Sequence, residues 1–358
     1  MSLWRWDGKE LVPSPLRRGA VTIGNFDAVH RGHQLLAQQT RALAQQIQGP
    51  ALAITFDPPP HQVLHPGTER PPLTTIPERA FWLAQAGIEH LVVLLTTEEL
   101  LSWEPEEFFQ RILLERLQIR GIVEGTDFRF GHQRRGDVRL LQRLCQQAGC
   151  LFAAVPPLTY ADLPISSSRV RQALLNGDVS IAHRLLGRPY SVSGRVITGN
   201  RRGRTLGFPT ANLADIPTLL PADGVYAARV WLLERPPYID HLRETVPTQA
   251  TLSTEGCTES ESFMMTIEGR TVWAAAAHLG PAPTFNQNQR LLEVHLLDFD
   301  GDLYGQWLQV EFLDRIRGTL RFASAEELKR QLQQDTQMVR QLLNDPTVCS
   351  YRLGDDHA

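Results

Sequence analysis

Val21-Thr22-Ile23-Gly24-Asn25-Phe26-Asp27-Ala28-Val29-His30-Arg31-Gly32-His33 is the stretch from which the rest of this chain can be placed. The run from Ala20 to Ile23 has the make-up of a buried strand and stops at Gly24. A polar turn follows, and from Gln34 onward Leu35, Leu36, Leu43 and Ile47 recur at helical spacing. Strand, glycine turn and helix N-terminus together make an anion site, because unpaired N–H groups and the positive end of the helix dipole face one spot. His30 and His33 lie three apart, so both imidazoles share a helix face and can address one phosphate. Gly32 lets that phosphate approach the backbone with no Cβ in the way. The expectation is a nucleotide site.

Outward from this stretch the same rhythm recurs. Apolar runs at 51–56, 90–95, 121–124 and 151–155 alternate with helical patterns at 77–87, 105–118 and 137–148. Such alternation predicts an α/β domain, a parallel sheet with helices on both faces, whose ligands sit beyond the carboxyl ends of the strands. Gly24, Asp57 and Gly125 all fall there. Near Ile165 the segment Ser166-Ser167-Ser168-Arg169-Val170-Arg171 opens a short helix. Its serines suit an N-cap, and they equally suit a second phosphate clamp with an arginine; the residues alone allow both.

A further helix at 179–186 ends in Gly187, and there the rhythm changes. Period-2 strands are expected at 190–196, 225–233, 263–267, 271–277, 291–297 and 308–312, which implies an antiparallel barrel or sandwich. The polar, proline-bearing stretch 234–262 is expected to be a long surface excursion. A helix over 325–343, opened by a Ser324/Glu327 capping box, closes the chain. The domain boundary is thus expected at Gly187, giving domains 1–186 and 187–358.

A length of 358 residues favours two cores over one. The net charge of -3 gives no global reason to expect nucleic acid or an anionic membrane as partner. Lysine occurs only at Lys9 and Lys329; the arginine bias suits phosphate contacts, but a GC-rich genome gives the same bias and is the preferred reading. Cys145, Cys150, Cys257 and Cys349 show no CxxC spacing and are expected to be reduced and mostly buried. Neither a signal-peptide core nor an apolar run of about 18 residues is present, so a cytoplasmic, unanchored protein is expected. Nothing in the residues speaks to oligomeric state.

The second domain has its own dense stretch, Gly199-Asn200-Arg201-Arg202-Gly203-Arg204-Thr205-Leu206-Gly207-Phe208-Pro209-Thr210-Ala211-Asn212. Its glycines form an arch whose N–H groups can wrap phosphates, though no Walker Gly-Lys-Ser/Thr follows. Thr210 and Asn212 are alternate residues of an extended segment and point the same way. Their oxygens suit Mg²⁺, or else satisfy the backbone of a glycine-rich hairpin. Glu293 stands amid the apolar strand Leu291-Leu292-Glu293-Val294-His295-Leu296-Leu297. It is a general base, an arginine's partner, or simply a residue on the solvent face of a half-buried strand.

Taken in order, these motifs resemble those of the bacterial bifunctional riboflavin kinase/FMN adenylyltransferases (FAD synthetases) over nearly the whole chain. In the first domain the likeness rests on Gly24-Asn25-Phe26-Asp27, His30-Arg31-Gly32-His33, Phe56-Asp57-Pro58, Asp127-Phe128-Arg129-Phe130-Gly131, Arg135-Gly136-Asp137 and the Ser166–Arg171 segment. In the second it rests on Gly187-Arg188-Pro189-Tyr190, Gly203 to Asn212, Gly224-Val225-Tyr226-Ala227, Pro283-Thr284-Phe285 and Glu293 to Asp298. The resemblance implies a Rossmann-like nucleotidyltransferase domain followed by a six-stranded barrel kinase domain with a C-terminal helix. It implies ATP, riboflavin, FMN and FAD as substrates or products, and Mg²⁺.

By that resemblance Glu293 is the kinase base and Thr210 and Asn212 hold Mg²⁺–ATP, within an ATP loop of Gly199, Gly203, Arg204, Gly207, Phe208 and Pro209. His30 and His33 stabilise the α-phosphate in adenylyl transfer. Gly24, Asn25, Phe26, Asp27, Gly32 and Asp127 bind the ATP of that step, with Ser167, Ser168 and Arg171 on its β,γ-phosphates. Asp57, Phe285 and Arg317 fall at flavin positions. Departures are present too. Ala28 stands where the pattern has Gly, and Pro59 where it often has His. His278-Leu279-Gly280-Pro281-Ala282-Pro283-Thr284-Phe285 replaces Asn-Ile-Gly-x-Arg-Pro-Thr-Phe. Arg317 to Phe322 is a reduced flavin lid, and 234–262 exceeds the usual hairpin. Two functions compete: the two-step enzyme, and an adenylyltransferase whose barrel only binds flavin and regulates. Intact Thr210, Asn212 and Glu293 favour the first. A tRNA synthetase, which can share the HxGH pattern, lacks a lysine loop here.

Overall fold

The apolar runs of the first half are strands of one sheet. In the computed structural model, which describes residues 1–68, 70–199, 207–234, 264–267, 270–281 and 290–344, the strands are Ser2–Trp6 (β1), Ala20–Ile23 (β2), Ala51–Asp57 (β3), His90–Leu95 (β4), Gly121–Gly125 (β5) and Leu151–Val155 (β6). All pair in parallel, in the order β1-β4-β3-β2-β5-β6. Successive side chains leave opposite faces of a strand, and each face feeds its own core. Val21, Ile23, Leu52, Ile54, Val92, Leu94 and Ile122 enter one; Ala20, Ala51, Ala53, Leu91, Val93 and Val123 enter the other. Full burial of one such large side chain contributes about 1.5–3 kcal/mol.

The helices follow from these two faces. Arg31–Gln46 (α1) and Ile76–Gln85 (α2) cover the second face through Ala37, Leu43, Ala44, Ala80 and Leu83. The small alanines of β2 and β3 let α1 lie close, and at Gly121 an added Cβ would come 2.8 Å from Leu43. The first face is covered by a helix that starts as α over Pro105–Phe108 and winds on as π over Phe109–Arg116, and by Val138–Ala148 (α3). Cys145 of α3 lies in that core, and burial pushes its thiol up to about 12. It and Cys150 are free thiols. The edge strand β1, whose Trp4 and Trp6 alternate with Arg5, has no counterpart in the expected elements.

The second unit begins at Ser168 and the first ends at Ser167. Ser167–Asn176 (α4) and Val179–Leu186 (α5) pack with the barrel that follows: the Ala222 N–H donates to the Leu174 carbonyl at 2.8 Å. Packing therefore divides the chain earlier than the change of rhythm at Gly187. The barrel strands are Tyr190–Ile197 (β7), Ala211–Ala214 (β8), Gly224–Leu233 (β9), Met264–Ile267 (β10), Arg270–Pro281 (β11), Arg290–Leu296 (β12) and Trp307–Arg317 (β13). Six of them close an antiparallel ring in the order β9-β13-β7-β8-β12-β11, with β11 pairing back to β9 and β10 extending β11. Tyr226 and Phe312 fill the interior edge to face, 5.4 Å apart. The closing helix Ala325–Asn344 (α6) docks Val339 and Leu343 on Ala227, Ala274 and Leu313. Among the described residues no helix is long and apolar enough to cross a membrane.

Candidate active sites

The first site lies where the parallel strand order reverses, between β2 and β5. These strands pair at Ala20–Gly121 and Val21–Ile122. Past that point the Ile23 N–H donates to the Glu124 side chain at 2.6 Å. Glu124 is fully buried, and burial pushes its carboxyl well above the usual range, against the Ile23 hydrogen bond and with the Asp127 charge. Such an acid supplies stability that is complete below its ordinary value of 4.5 and is lost as pH rises toward the folded value. Glu124→Gln keeps an acceptor for Ile23 and does not titrate. It is expected to gain on the wild type in thermal midpoint as pH rises from about 4.5 to about 8; a difference independent of pH would rule out a protonated Glu124.

The loop after β2 is strained. Phe26, Ala28 and Val29 have φ of 47°, 75° and 44°, the left-handed region that costs an L-residue about 1–2 kcal/mol. Its clamp is Asp27, whose Oδ1 accepts from the Leu73 N–H (2.9 Å) and from the N–H (3.1 Å) and hydroxyl (3.4 Å) of Thr74. Thr74 Oγ1 accepts in turn from the Ala28 N–H at 3.0 Å. Arg79, buried on α2, places Nη2 3.7 Å from Asp27 Oδ1 and donates to Thr55 Oγ1 at 3.1 Å. Thr55 Oγ1 then donates to the Asn25 carbonyl at 3.1 Å. Burial lowers the Arg79 pKa, with Asp27 foremost among the charges that oppose the shift.

That clamp delivers the histidines. His30 caps α1, its Nδ1 accepting from the His33 N–H at 3.3 Å. A neutral His30 therefore carries its proton on Nε2. The two rings stack with centroids 3.6 Å apart, and Phe26 meets His33 edge-on at 5.2 Å. A Cβ at Gly32 would come 3.2 Å from the His30 ring, so this glycine also seats an imidazole. Ser167 Oγ donates to the Asp27 carbonyl at 2.8 Å, tying the start of α4 to the loop; Ser168 and Arg171 follow along α4. Asp127 is exposed in the turn after β5, and Asp57, at the end of β3, pairs with Arg5 at 2.6 Å. Ala28→Gly removes a Cβ from a left-handed residue and is expected to raise stability by up to about 1 kcal/mol, a gain in thermal midpoint of about 2–4 °C. An unchanged or lower midpoint would count against strain at this position.

The second site is a row across the barrel. Asn212 on β8 stands opposite Glu293 on β12, and Glu293 opposite His278 on β11. Val225 on β9 faces His278 on one side and Arg317 on β13 on the other. Residues directly opposite share a face, so Asn212, Glu293, His278 and Arg317 form one line. Leu292 and Val294 are fully buried on the other face. A Cβ on Gly199 would lie 1.9 Å from Asn212 Nδ2, so this position admits only glycine while Asn212 stays in place. His295 Nδ1–H donates to the Pro209 carbonyl at 2.8 Å and its ring meets Phe208 edge-on, which pins the segment leading to Thr210 onto β12.

Arg317 Nε and Nη2 grip the buried Asp335 of α6 at 2.9 and 2.7 Å, and its guanidinium lies 6.0 Å from the Phe322 ring. Gly203, Arg204, Phe285 and the 235–262 part of the expected excursion lie outside the described residues. Among the described residues no cluster of three or more His, Cys, Asp or Glu could hold a metal ion.

Comparison with known proteins decides the family. The FAD synthetase family model matches residues 13–169 and the riboflavin kinase model residues 186–343. Curated relatives named bifunctional riboflavin kinase/FMN adenylyltransferase align almost end to end. That of Escherichia coli K12 is 32% identical over 333 residues, 92% of this chain and 95% of the relative. That of Pseudomonas fluorescens is 34% identical over 330 residues, 92% and 94%. The chain belongs to the bifunctional riboflavin kinase/FMN adenylyltransferase family. A crystal structure described as a macrolide-efflux protein from Streptococcus pneumoniae has the same fold as this family member, with a TM-score of 0.78, 29% identity, and 95% and 99% of the two chains covered. The HxGH stretch lies in the FAD synthetase match, and the Asn212–Glu293 row in the riboflavin kinase match.

Several residues at these sites escaped the reading of the sequence. Thr74 and Arg79 carried no motif beyond a helix start. Glu124 looked like an ordinary strand end. His278 stood out only as a departure from the family pattern, and its place beside Glu293 follows from barrel register.

Proposed function

We infer that this chain carries out both steps of flavin-cofactor synthesis. It phosphorylates riboflavin with ATP to give FMN, and it adenylylates FMN with a second ATP to give FAD and pyrophosphate. The reading is carried by one observation: both family matches occur in succession on one chain, and relatives bearing both activities in their names span more than nine-tenths of it. We assign the adenylyltransferase to residues 1–186, the kinase to 187–358, and the protein to the cytoplasm, with small-molecule substrates and no nucleic-acid partner.

In the kinase step Glu293 takes the proton of the ribityl 5'-hydroxyl as its oxygen bonds to the γ-phosphorus and ADP departs. Gly199, Gly203, Arg204, Gly207, Phe208 and Pro209 wrap the nucleotide, and the transfer asks mainly for positioning and charge neutralisation. Asn212 and Thr210 would hold Mg²⁺. The donor set fits: the Asn212 amide is buried under Gly199, and Thr210 enters two residues earlier. Bound there, the ion would neutralise charge on the transferring phosphoryl group. Phe285 and Arg317 are assigned to the flavin side.

In the adenylyl step the FMN phosphate, already an anion, attacks the α-phosphorus and pyrophosphate leaves. His30 and His33 stabilise charge on the α-phosphate. Gly24, Asn25, Phe26, Gly32 and Asp127 form the ATP pocket, with Asp27 acting through the loop it clamps. Ser167, Ser168 and Arg171 hold the leaving phosphates, and Asp57 is assigned to FMN. Purified protein given riboflavin, ATP and Mg²⁺ is expected to yield FMN and then FAD by chromatography. Riboflavin left untouched while supplied FMN becomes FAD would favour a regulatory barrel instead.

A further inference from the structure

We propose that His278 is a positioning residue of the phosphoryl-transfer centre, holding the Glu293 carboxylate between itself and Asn212; this rests on Glu293 being the base. The register places His278 directly across from Glu293, on the side away from Asn212. Nδ1 of the imidazole lies 3.9 Å from Glu293 Oε2, and an approach of about 1 Å makes a hydrogen bond. The ring is seated for that approach. It lies over Gly280, where an added Cβ would come 3.0 Å from Cε1 and 3.3 Å from Nε2.

Chemistry sets the direction of the bond. Burial lowers the His278 pKa, and Arg317 lowers it further, while Glu293, Asp223 and Asp335 oppose the shift. A neutral imidazole with its proton on Nδ1 donates to Glu293 without adding a full positive charge, so it orients the carboxylate and leaves it basic. On this half-exposed strand face a donor beside the carboxylate fixes its orientation. Asn212 on its far side is packed against Gly199. His278 therefore supplies the second wall of the slot in which the base sits.

Five variants test this in the full-length protein, each assayed for FMN formation and, as a control on folding within the same chain, for conversion of supplied FMN to FAD. His278→Leu is expected to lower kcat for FMN formation about 10- to 100-fold, the scale of a misplaced catalytic group, with KM for ATP nearly unchanged. His278→Asn, whose amide N–H can donate from the same side, recovers most of kcat. Adding His278→Leu to Glu293→Gln lowers FMN formation no further than Glu293→Gln alone. Gly280→Ala, which keeps the imidazole but crowds its ring by a few tenths of an ångström, lowers kcat for FMN formation in the same direction by a smaller factor; it carries the test if the leucine variant also loses FAD formation through misfolding. A normal kcat in His278→Leu beside a strongly lowered but measurable Glu293→Gln overturns the proposal. So does a full leucine effect in the Glu293→Gln background, or failure of asparagine to rescue. A Glu293→Gln protein that still makes FMN removes the base assignment, and the proposal with it.

Discussion

Gly199→Ala is expected to cut FMN formation at least about 100-fold, the cost of displacing a catalytic group by an ångström or more, while supplied FMN is still converted to FAD. The new Cβ would sit 1.9 Å from Asn212 Nδ2 and 2.7 Å from its Cγ, inside any allowed contact. The Asn212 backbone is held by pairing to Ile197 on one side and to Glu293 on the other, so the clash falls on its side-chain amide or on the arch. Either the amide leaves the row or the arch lifts away from it, and both displace the oxygen proposed to hold Mg²⁺–ATP. Chromatography of the two reactions on one preparation separates this from misfolding. Kinase activity within about threefold of the wild type, a change of under 1 kcal/mol in the barrier, would mean that Asn212 has no part in holding the nucleotide.

The second large effect is expected at Asp27. Asp27→Ala removes the acceptor of three donors from Leu73 and Thr74 and leaves Arg79, only 4% exposed, without its near carboxylate. Breaking a buried pair in this way costs about 3–5 kcal/mol, on top of releasing a loop with three left-handed residues. FAD formation should fall to background and the first unit should melt well below the second, visible as an early, separate thermal transition. Asp27→Asn keeps an oxygen for the Leu73 and Thr74 N–H groups but loses the charge beside Arg79, and is expected to fall between the two. If Asp27→Ala keeps the wild-type melting curve and loses only ATP affinity, Asp27 is a nucleotide ligand and not the loop's clamp.

Much of both sites was legible because it is local. The Ile23-Gly24 stop, the HxGH spacing and the helix that follows lie within one short stretch of chain, so strand, turn and cap can be read from neighbours alone. The same holds for the period-2 runs of the barrel and the Ser324/Glu327 cap of α6, whose hydroxyl receives the Glu327 N–H at 3.1 Å. The strain at Ala28 was not legible: an alanine in place of the pattern's glycine argues against positive φ, yet the residue takes φ of 75°. Strand β8 was visible only as an extended segment, since four residues are too few to show alternation.

By itself, then, the sequence determined two domains of different class, and through its family resemblance it pointed to a nucleotide turn in the first and to Thr210, Asn212 and Glu293 as the proposed chemistry of the second. The tertiary structure alone decided who stands beside whom. Glu124 reaches Ile23 across 101 positions, and Asp27 meets Thr74 across 47. His278 faces Glu293 only because β11 and β12 pair in one register and not the next, where every side chain would point to the other face. Local pattern records the period of a strand and the start of a helix; register and burial depend on how distant segments close, and a single stretch of sequence does not contain that closure.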